Sequence, residues 1–328
     1  MSEIVFDNIS RNYKVSIKNS SYLRYLMRRE YKVIEAVKGV SFGISHGEAV
    51  GMIGPNGAGK STTMKMMTGI LVPSSGQAAV FGKDPFMHRK EICREIGVLF
   101  GQKSQLWWDL PAEDTFELLK KIYRIPDKTY EKNIRKYAEV LDTHRFLGQP
   151  VRQLSLGQRM RLELMACLLH DPKILFLDEP TLGLDVVVKR KIRDLLQGLK
   201  GSTTIILTSH DMKDIDSVCE RLIVIDNGLK IVDNDIEEVK RAYGNIERVK
   251  IKIKEEDNVK LDFFPETVKT EYKDQSIFCS YNPKEISSAD ILQQVLGHYN
   301  VLDISIMSAD IDDIIESIYR SEKDEKYV

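Results

Sequence analysis

A chain of 328 residues, 42% hydrophobic and 30% charged, is long enough for two domains with packed cores. Its 48 Lys and Arg against 49 Asp and Glu leave a net charge of −1, which argues against a whole-chain affinity for nucleic acid or for an anionic membrane. No apolar run approaches the ~18 residues of a bilayer span, and the first residues lack a basic stretch leading into an apolar one, so the expectation is a cytoplasmic protein that does not cross a membrane.

From residue 4 to about 244 short β-rich runs alternate with longer helical ones, the rhythm of an α/β domain on a largely parallel sheet. Residues 40–44 alternate like a half-buried strand, whereas 48–53, 174–177 and 203–208 are continuous apolar runs that read as buried strands. Between them, 111–170 is mostly helical, punctuated by Pro126, Gly148 and Pro150, and predicts a helical subdomain over about 103–170. After the apolar run 222–225, Asn227-Gly228 supplies the positive φ of a tight hairpin, and 235–243 reads as a closing helix stopped at Gly244. The domain boundary is expected there.

In the remainder, Val249, Ile251 and Ile253 alternate with Lys250, Lys252 and Lys254, and two further strand-like runs follow. A helix over 287–296, a strand over 301–306 and a helix over 311–319 complete a small α+β domain, 245–328, without a catalytic motif. It holds 11 basic and 18 acidic side chains, a net of −7, so the first 244 residues carry +6. Cys93, Cys167, Cys219 and Cys279 lie far apart without zinc-ligand spacing and read as ordinary thiols of a reducing compartment.

Two segments carry chemistry. Gly54-Pro55-Asn56-Gly57-Ala58-Gly59-Lys60-Ser61 fits G-x-x-x-x-G-K-[ST] directly after a strand and before the helical pattern 62–68. In such a loop successive N–H groups face one anion, the lysine reaches β- and γ-phosphates, and the serine hydroxyl ligates Mg²⁺. Ile174-Leu175-Phe176-Leu177-Asp178-Glu179 is a buried strand ending in two carboxylates, Asp178 suited to hold Mg²⁺ and Glu179 to polarise water. Together they point to nucleotide hydrolysis.

With Leu154-Ser155-Leu156-Gly157-Gln158 just before a helix, residues 3–243 resemble the nucleotide-binding domain of ABC transporters. The same family order continues in Gln102 after the strand run 98–100, Asp178-Glu179-Pro180, Thr181-Leu182-Gly183-Leu184-Asp185 and Thr208-Ser209-His210-Asp211. The run Phe100 to Pro111 further resembles ATPase subunits of ABC-2 type exporters. The resemblance implies a P-loop NTPase fold of the ABC type, α/β with a mixed sheet and a helical subdomain, and ATP and Mg²⁺ as ligands. It implies that Tyr13 stacks on adenine, that the loop 54–59 with Lys60, Ser61 and Thr62 holds phosphates, and that Ser61, Gln102 and Asp178 surround the metal. Glu179 would be the general base, Gln102 would touch the attacking water, and His210 would bridge the γ-phosphate to its neighbours. Ser155, Gly157, Gln158 and Asp185 would complete the ATP site, with Ser155 and Gly157 reaching the γ-phosphate held by another copy, so that ATP glues a head-to-tail homodimer.

Two departures from the family pattern stand out. Leu156 replaces a usual glycine, and a Leu avoids positive φ, which puts the cross-dimer contact in question. The stretch 14–36 is a basic insertion, with Lys14, Lys18, Arg24, Arg28, Arg29 and Lys32 against Glu30 and Glu35 and with Tyr22, Leu23, Tyr25, Leu26 and Met27 interleaved. It reads either as a basic amphipathic helix lying on lipid headgroups or a membrane partner, or as a solvated insertion, and Tyr22, Tyr25 or Tyr31 could approach the base in place of Tyr13.

Trp107 and Trp108, beside Leu110 and Pro111, fall in the segment with which this family receives a helix of the membrane subunit, and otherwise pack beneath the helical subdomain. Arg159 and Arg161 read as structural, with nucleotide sensing as a second reading of Arg159; Met64, Met66 and Met67 read as core. The expectation is the ATPase subunit of an exporter, paired with a separate multi-spanning permease contacted near Gln102–Pro111 and thereby held on the inner face of the membrane, with no nucleic-acid partner. The alternative is a soluble ABC ATPase outside transport.

Overall fold

The computed structural model describes residues 2–16, 31–100, 104–243, 247–254, 259–265 and 267–307. Gln102, most of the basic insertion and the helix expected over 311–319 lie outside the described residues. The chain forms two compact units, Met1–Asn234 and Asp235–Val328, so the helix Ile236–Tyr243, expected to close the first domain, falls with the second.

In the first unit, the strands β1 (Ser2–Ser16), β2 (Tyr31–Ser45) and β4 (Ser75–Val80) form an antiparallel sheet in the order β2-β1-β4. The arms β1 and β2 run further into the expected insertion than its composition suggests: Tyr13 faces Ile34, Val15 faces Lys32 and Ser16 faces Tyr31. Apart from half-buried Tyr13, residues 12–16 and 31–35 are exposed, so this part of the ribbon is solvated on both faces.

A second sheet has six strands in the order β5-β6-β7-β3-β8-β9, with β3 (Ala49–Ile53), β5 (Ile96–Phe100), β6 (Ile174–Asp178), β7 (Thr204–Thr208), β8 (Arg221–Asp226) and β9 (Leu229–Asp235). The ladders from β5 through β6, β7 and β3 to β8 are parallel, and every residue of β3 and β7 is buried, as continuous apolar runs in a two-sided parallel sheet require. Asn227 and Gly228, at φ 48° and 82°, turn β8 into β9.

Helix α1 (Lys60–Met67) follows β3 and drives Met64, Met66 and Met67 into the core between the two sheets, with Phe6, Phe42, Met52 and Phe176. After the short α2 (Arg89–Ile92) come α3 (Ala112–Tyr123), α4 (Asp127–Val140) and α5 (Leu156–Leu168), the helical subdomain. Then α6 (Val186–Gln197) and α7 (Met212–Val218) cross between strands. The ends of β3, β6 and β7 are therefore neighbours at one edge of the sheet, the place where open parallel sheets present their sites.

The second unit comprises α8 (Ile236–Tyr243) and a four-stranded antiparallel sheet in the order β11-β12-β10-β13, backed by α9 (Ser288–Leu296). Its strands are β10 (Glu247–Ile253), β11 (Lys269–Lys273), β12 (Ser276–Tyr281) and β13 (Val301–Met307). Val249, Ile251 and Ile253 turn inward with Ile277, Ile291 and Val295, while Lys250 and Lys252 stay outside. The four cysteines are free, three of them buried. Among the described residues no helix is long and apolar enough to cross a membrane.

Candidate functional site

The glycine-rich loop leaves β3 at Ile53 and enters α1 at Lys60. A Cβ on Gly54 would lie 2.0 Å from the Ile225 carbonyl oxygen, and Gly59 combines φ 112° with an approach of 2.5 Å to the Ala36 oxygen, so both positions need glycine. Lys60 folds back over the loop, where its Nζ donates to the carbonyls of Gly54 at 2.6 Å and Pro55 at 3.1 Å. Burial lowers its pKa, and the charges of Glu179 and Asp178 work against that shift. Pro55, Asn56 and Gly57 are exposed, Ser61 and Thr62 half-buried, leaving the loop open on its outer side.

At the end of β6, Asp178 accepts from the hydroxyls of Ser61 at 3.0 Å and Thr208 at 2.6 Å. Thr208, the last residue of β7, also takes the Glu179 amide on its carbonyl oxygen at 3.0 Å. Glu179 sits at φ 55°, a left-handed conformation that costs a non-glycine residue about 1 kcal/mol or more and persists where neighbours over-determine it. The carboxylate it projects lies 2.7 Å from His210 Nε2, with the imidazole 43% exposed.

Behind His210 a network unread in the sequence holds the turn. Asp211 caps α7 and accepts from Lys189 at 2.7 Å and Arg193 at 3.2 Å. Buried Asp214 accepts from Ser209 at 3.0 Å, from Arg193 Nε at 2.5 Å and from the Thr181 hydroxyl. Thr181 lies two residues after Glu179 and Ser209 directly precedes His210, so Asp214 ties the Glu179 turn to the His210 turn. Its partners lie 5 to 33 residues away, and no local pattern marks them.

The Ser155–Gln158 segment is the start of α5. Ser155 Oγ accepts from the Gln158 amide at 3.2 Å and the Gln158 side chain accepts from the Ser155 amide at 2.8 Å, a reciprocal cap legible as Ser-x-x-Gln. Leu156 is the first helical residue and has no positive φ, so it fits here without strain. The cap leaves first-turn amides of Leu156 and Gly157 without intrahelical carbonyls. Asp185 caps α6 through the Val188 amide at 2.9 Å. Tyr13 is half-buried on β1 with the Arg11 guanidinium 4.9 Å from its ring centre.

Lys60, Ser61, Asp178, Glu179 and His210 thus form one cluster, whereas no hydrogen bond among the described residues joins Tyr13, Ser155, Gly157, Gln158 or Asp185 to it. Of the two glutamines after β5, Gln105 is committed to structure: its amide nitrogen donates to the Val98 carbonyl at 2.6 Å and to Cys167 Sγ at 3.0 Å. Arg161 is structural as expected, donating to the carbonyls of Leu141 and Asp142 at 3.0 and 3.1 Å.

The sequence profile of the ABC transporter family matches residues 37–182. The ABC transporter ATP-binding protein NatA of Bacillus subtilis (strain 168) is 33% identical over 198 residues, covering 60% of this chain and 80% of that protein. The chain belongs to the ABC transporter ATP-binding family.

A fluoroquinolones export ATP-binding protein of Mycobacterium tuberculosis is 36% identical over 204 residues, 62% of this ABC chain and 66% of that protein. A dimeric, post-hydrolysis ATP-binding cassette, MJ0796, bound to ADP and Pi, superposes with a TM-score of 0.60 at 25% identity, over 71% of this chain and 98% of that one. The chain spans about a quarter of the length of two longer relatives, ABC transporter A family members 1 and 8 of Dictyostelium discoideum.

Among the described residues no group of three or more His, Cys, Asp and Glu could hold a metal by itself. Ser61 and Asp178 offer two hard oxygen ligands 3.0 Å apart, the set that suits a Mg²⁺ arriving with nucleotide phosphates in this ABC ATPase domain.

Proposed function

We propose that this chain is the ATP-hydrolysing subunit of an ABC-2 type exporter, working as an ATP-sandwiched homodimer that drives a separate permease and rests on the inner face of the membrane through it. The observation that carries the reading is the Glu179–His210 pair, 2.7 Å apart, beside an Asp178 held by Ser61 and Thr208. The ATPase domain is assigned to the unit that ends at Asn234, and α8 goes with the accessory domain instead of closing the ATPase domain at residue 244 as its sequence suggested.

ATP enters with its phosphates over the loop 54–59, where backbone amides and the dipole of α1 favour the anion. Lys60 exchanges the carbonyls of Gly54 and Pro55 for β- and γ-phosphate oxygens. Ser61, Asp178 and Gln102 would hold a Mg²⁺, which would supply neutralisation of the charge on those oxygens. Glu179 accepts a proton from the water that attacks the γ-phosphorus as the bond to ADP breaks, and His210 keeps the carboxylate aimed while its exposed edge meets the γ-phosphate. The adenine stacks on Tyr13. Ser155 to Gln158 of a second copy offer first-turn amides to the γ-phosphate, and Asp185 stands beside them; only ATP presents that anion, so hydrolysis removes the reason for closure.

Trp107 and Trp108 are 51% and 53% exposed, which supports a docking face for the permease near Gln102–Pro111. The test is to purify Glu179→Gln protein with ATP from membranes in mild detergent. A stoichiometric multi-spanning partner is expected; ribosomes, nucleic acid or no partner would turn the reading to a soluble ABC ATPase.

A further inference from the structure

The exposed tryptophans stand on a strongly anchored backbone. Trp107 N donates to Thr115 Oγ1 at 3.3 Å, the Trp108 carbonyl accepts from the Arg152 amide at 2.9 Å, and the Leu110 carbonyl accepts from the Val151 amide at 3.1 Å. Arg152 lies in the 3₁₀ turn Val151–Gln153, which ends just before Ser155. The tryptophan face is thus backed by the turn that delivers the chain to the start of α5.

A second tie runs through the middle of α5. Glu163 is a carboxylate only 5% exposed, and its partners come from the stretch that leads into the tryptophans: the Ser104 hydroxyl on Oε1 and the Gln105 amide on Oε2 at 3.0 Å. Burial raises its pKa, and those hydrogen bonds oppose the shift. One turn earlier, the Arg159 guanidinium lies 5.6 Å from the Trp108 ring, and the Arg159 amide donates to the Ser155 carbonyl at 2.9 Å. From Ser155 to Glu163 the helix is a rod of about 12 Å at ~1.5 Å per residue. A buried carboxylate is retained against its desolvation cost only by such bonds, so the contact has one stable geometry.

We propose that Glu163 and Arg159 are positioning residues that lock the Trp107–Trp108 face to the Ser155 end of α5, so that a partner seated on the tryptophans and a phosphate seated on Ser155–Gly157 act on one rigid body. This rests on the reading that Ser155 and Gly157 meet ATP. The coupling is reciprocal: whatever orients one end orients the other.

The chain carries its own reporter, because Trp107 and Trp108 are its only tryptophans. In full-length Glu179→Gln protein, tryptophan emission is followed during a Mg-ATP titration while binding is measured separately by equilibrium dialysis of radiolabelled ATP. The emission is expected to change with the midpoint of binding. Adding Glu163→Gln, which places an amide donor against the Ser104 and Gln105 donors, is expected to keep ATP affinity within about twofold and to remove most of the emission change. Glu163→Asp restores part of it, and Ser104→Ala, which spares the buried carboxylate, loses about half. An undiminished emission change in both Glu163→Gln and Ser104→Ala, or a silent parent that binds ATP and dimerises, overturns the proposal. A parent that binds no ATP overturns the nucleotide reading itself, and this proposal with it.

Discussion

Among the described residues of the unit Met1–Asn234 three charged side chains, Lys60, Glu163 and Asp214, are less than a tenth exposed, and each bonds to backbone or side chains beyond its own helix: Lys60 over the phosphate loop, Glu163 from α5 to residues 104–105, Asp214 from α7 to Thr181 and Arg193. In the unit Asp235–Val328 no charged side chain among the described residues is buried; Ser276 and Tyr281, whose hydroxyl donates to Glu247, are the polar exceptions in a core of Val249, Ile251, Ile253, Ile277 and their neighbours. A buried charge costs several kcal/mol unless its bonds are met, so it is kept where a position must be fixed. A core of aliphatic chains is held by area alone, tolerates repacking and fixes less. The first unit spends stability on geometry; the second is built for cohesion.

The sharpest way to break that contrast is at Glu179. Glu179→Gln is expected to lower ATP turnover by about 10²–10⁴-fold with nucleotide affinity preserved, read by phosphate release and by equilibrium binding. Unchanged turnover would remove the general base from the account. Next in size, Asp214→Ala leaves the Arg193 guanidinium without its buried partner and should destabilise the first unit by about 3–5 kcal/mol. Ile277→Ala, a cavity in the other core, should cost the second unit about 2–5 kcal/mol. Calorimetry distinguishes them if each variant lowers a different transition; one shared transition would show that the units do not unfold separately.

Asp211 gives a smaller effect with a defined sign. Burial pushes its carboxyl upward, but the hydrogen bond and charge of Lys189, the Lys213 amide and Arg193 outweigh it and hold the group below its ordinary 3.8. The native state therefore binds this proton less readily than the unfolded chain, so the stabilisation is present above about pH 4 and fades as pH falls through the folded value. Denaturation of Asp211→Asn against the parent should show a constant gap near neutrality that closes in acid. The smallest expectation is Leu156→Gly, within about twofold in ATPase, since Leu156 already lies unstrained at the first position of α5.

What the sequence made legible was contiguous. The phosphate loop, Asp178-Glu179, the Ser155–Gln158 cap and the Asn227-Gly228 turn are each written within eight residues, because one anion, one strand end or one turn must be served locally. The arms of β1 and β2 were obscured because the Lys and Arg of 14–36 dominate a stretch in which only Tyr13 and Val15 on β1 and Tyr31 and Val33 on β2 keep strand alternation. The pairing of β4 with β1, the partners of Glu163 and the Arg193 and Thr181 partners of Asp214 were not legible, since those contacts join residues tens of positions apart and any polar residue on the right surface could supply them.

The placing of β3 between β7 and β8 bears on how the protein is made. Its loop is fastened by residues synthesised far later: the Gly228 amide donates to the Ala58 carbonyl at 2.9 Å, and the Lys38 amide donates to the Gly228 carbonyl at 2.8 Å. A nascent chain emerging from the ribosome carries the complete phosphate-binding sequence long before it carries the strands and the turn that shape it. Synthesis proceeds at about 5–20 residues per second, so the interval lasts on the order of ten seconds or more. The phosphate loop therefore acquires its full set of backbone partners only in chains that have reached the β8–β9 turn.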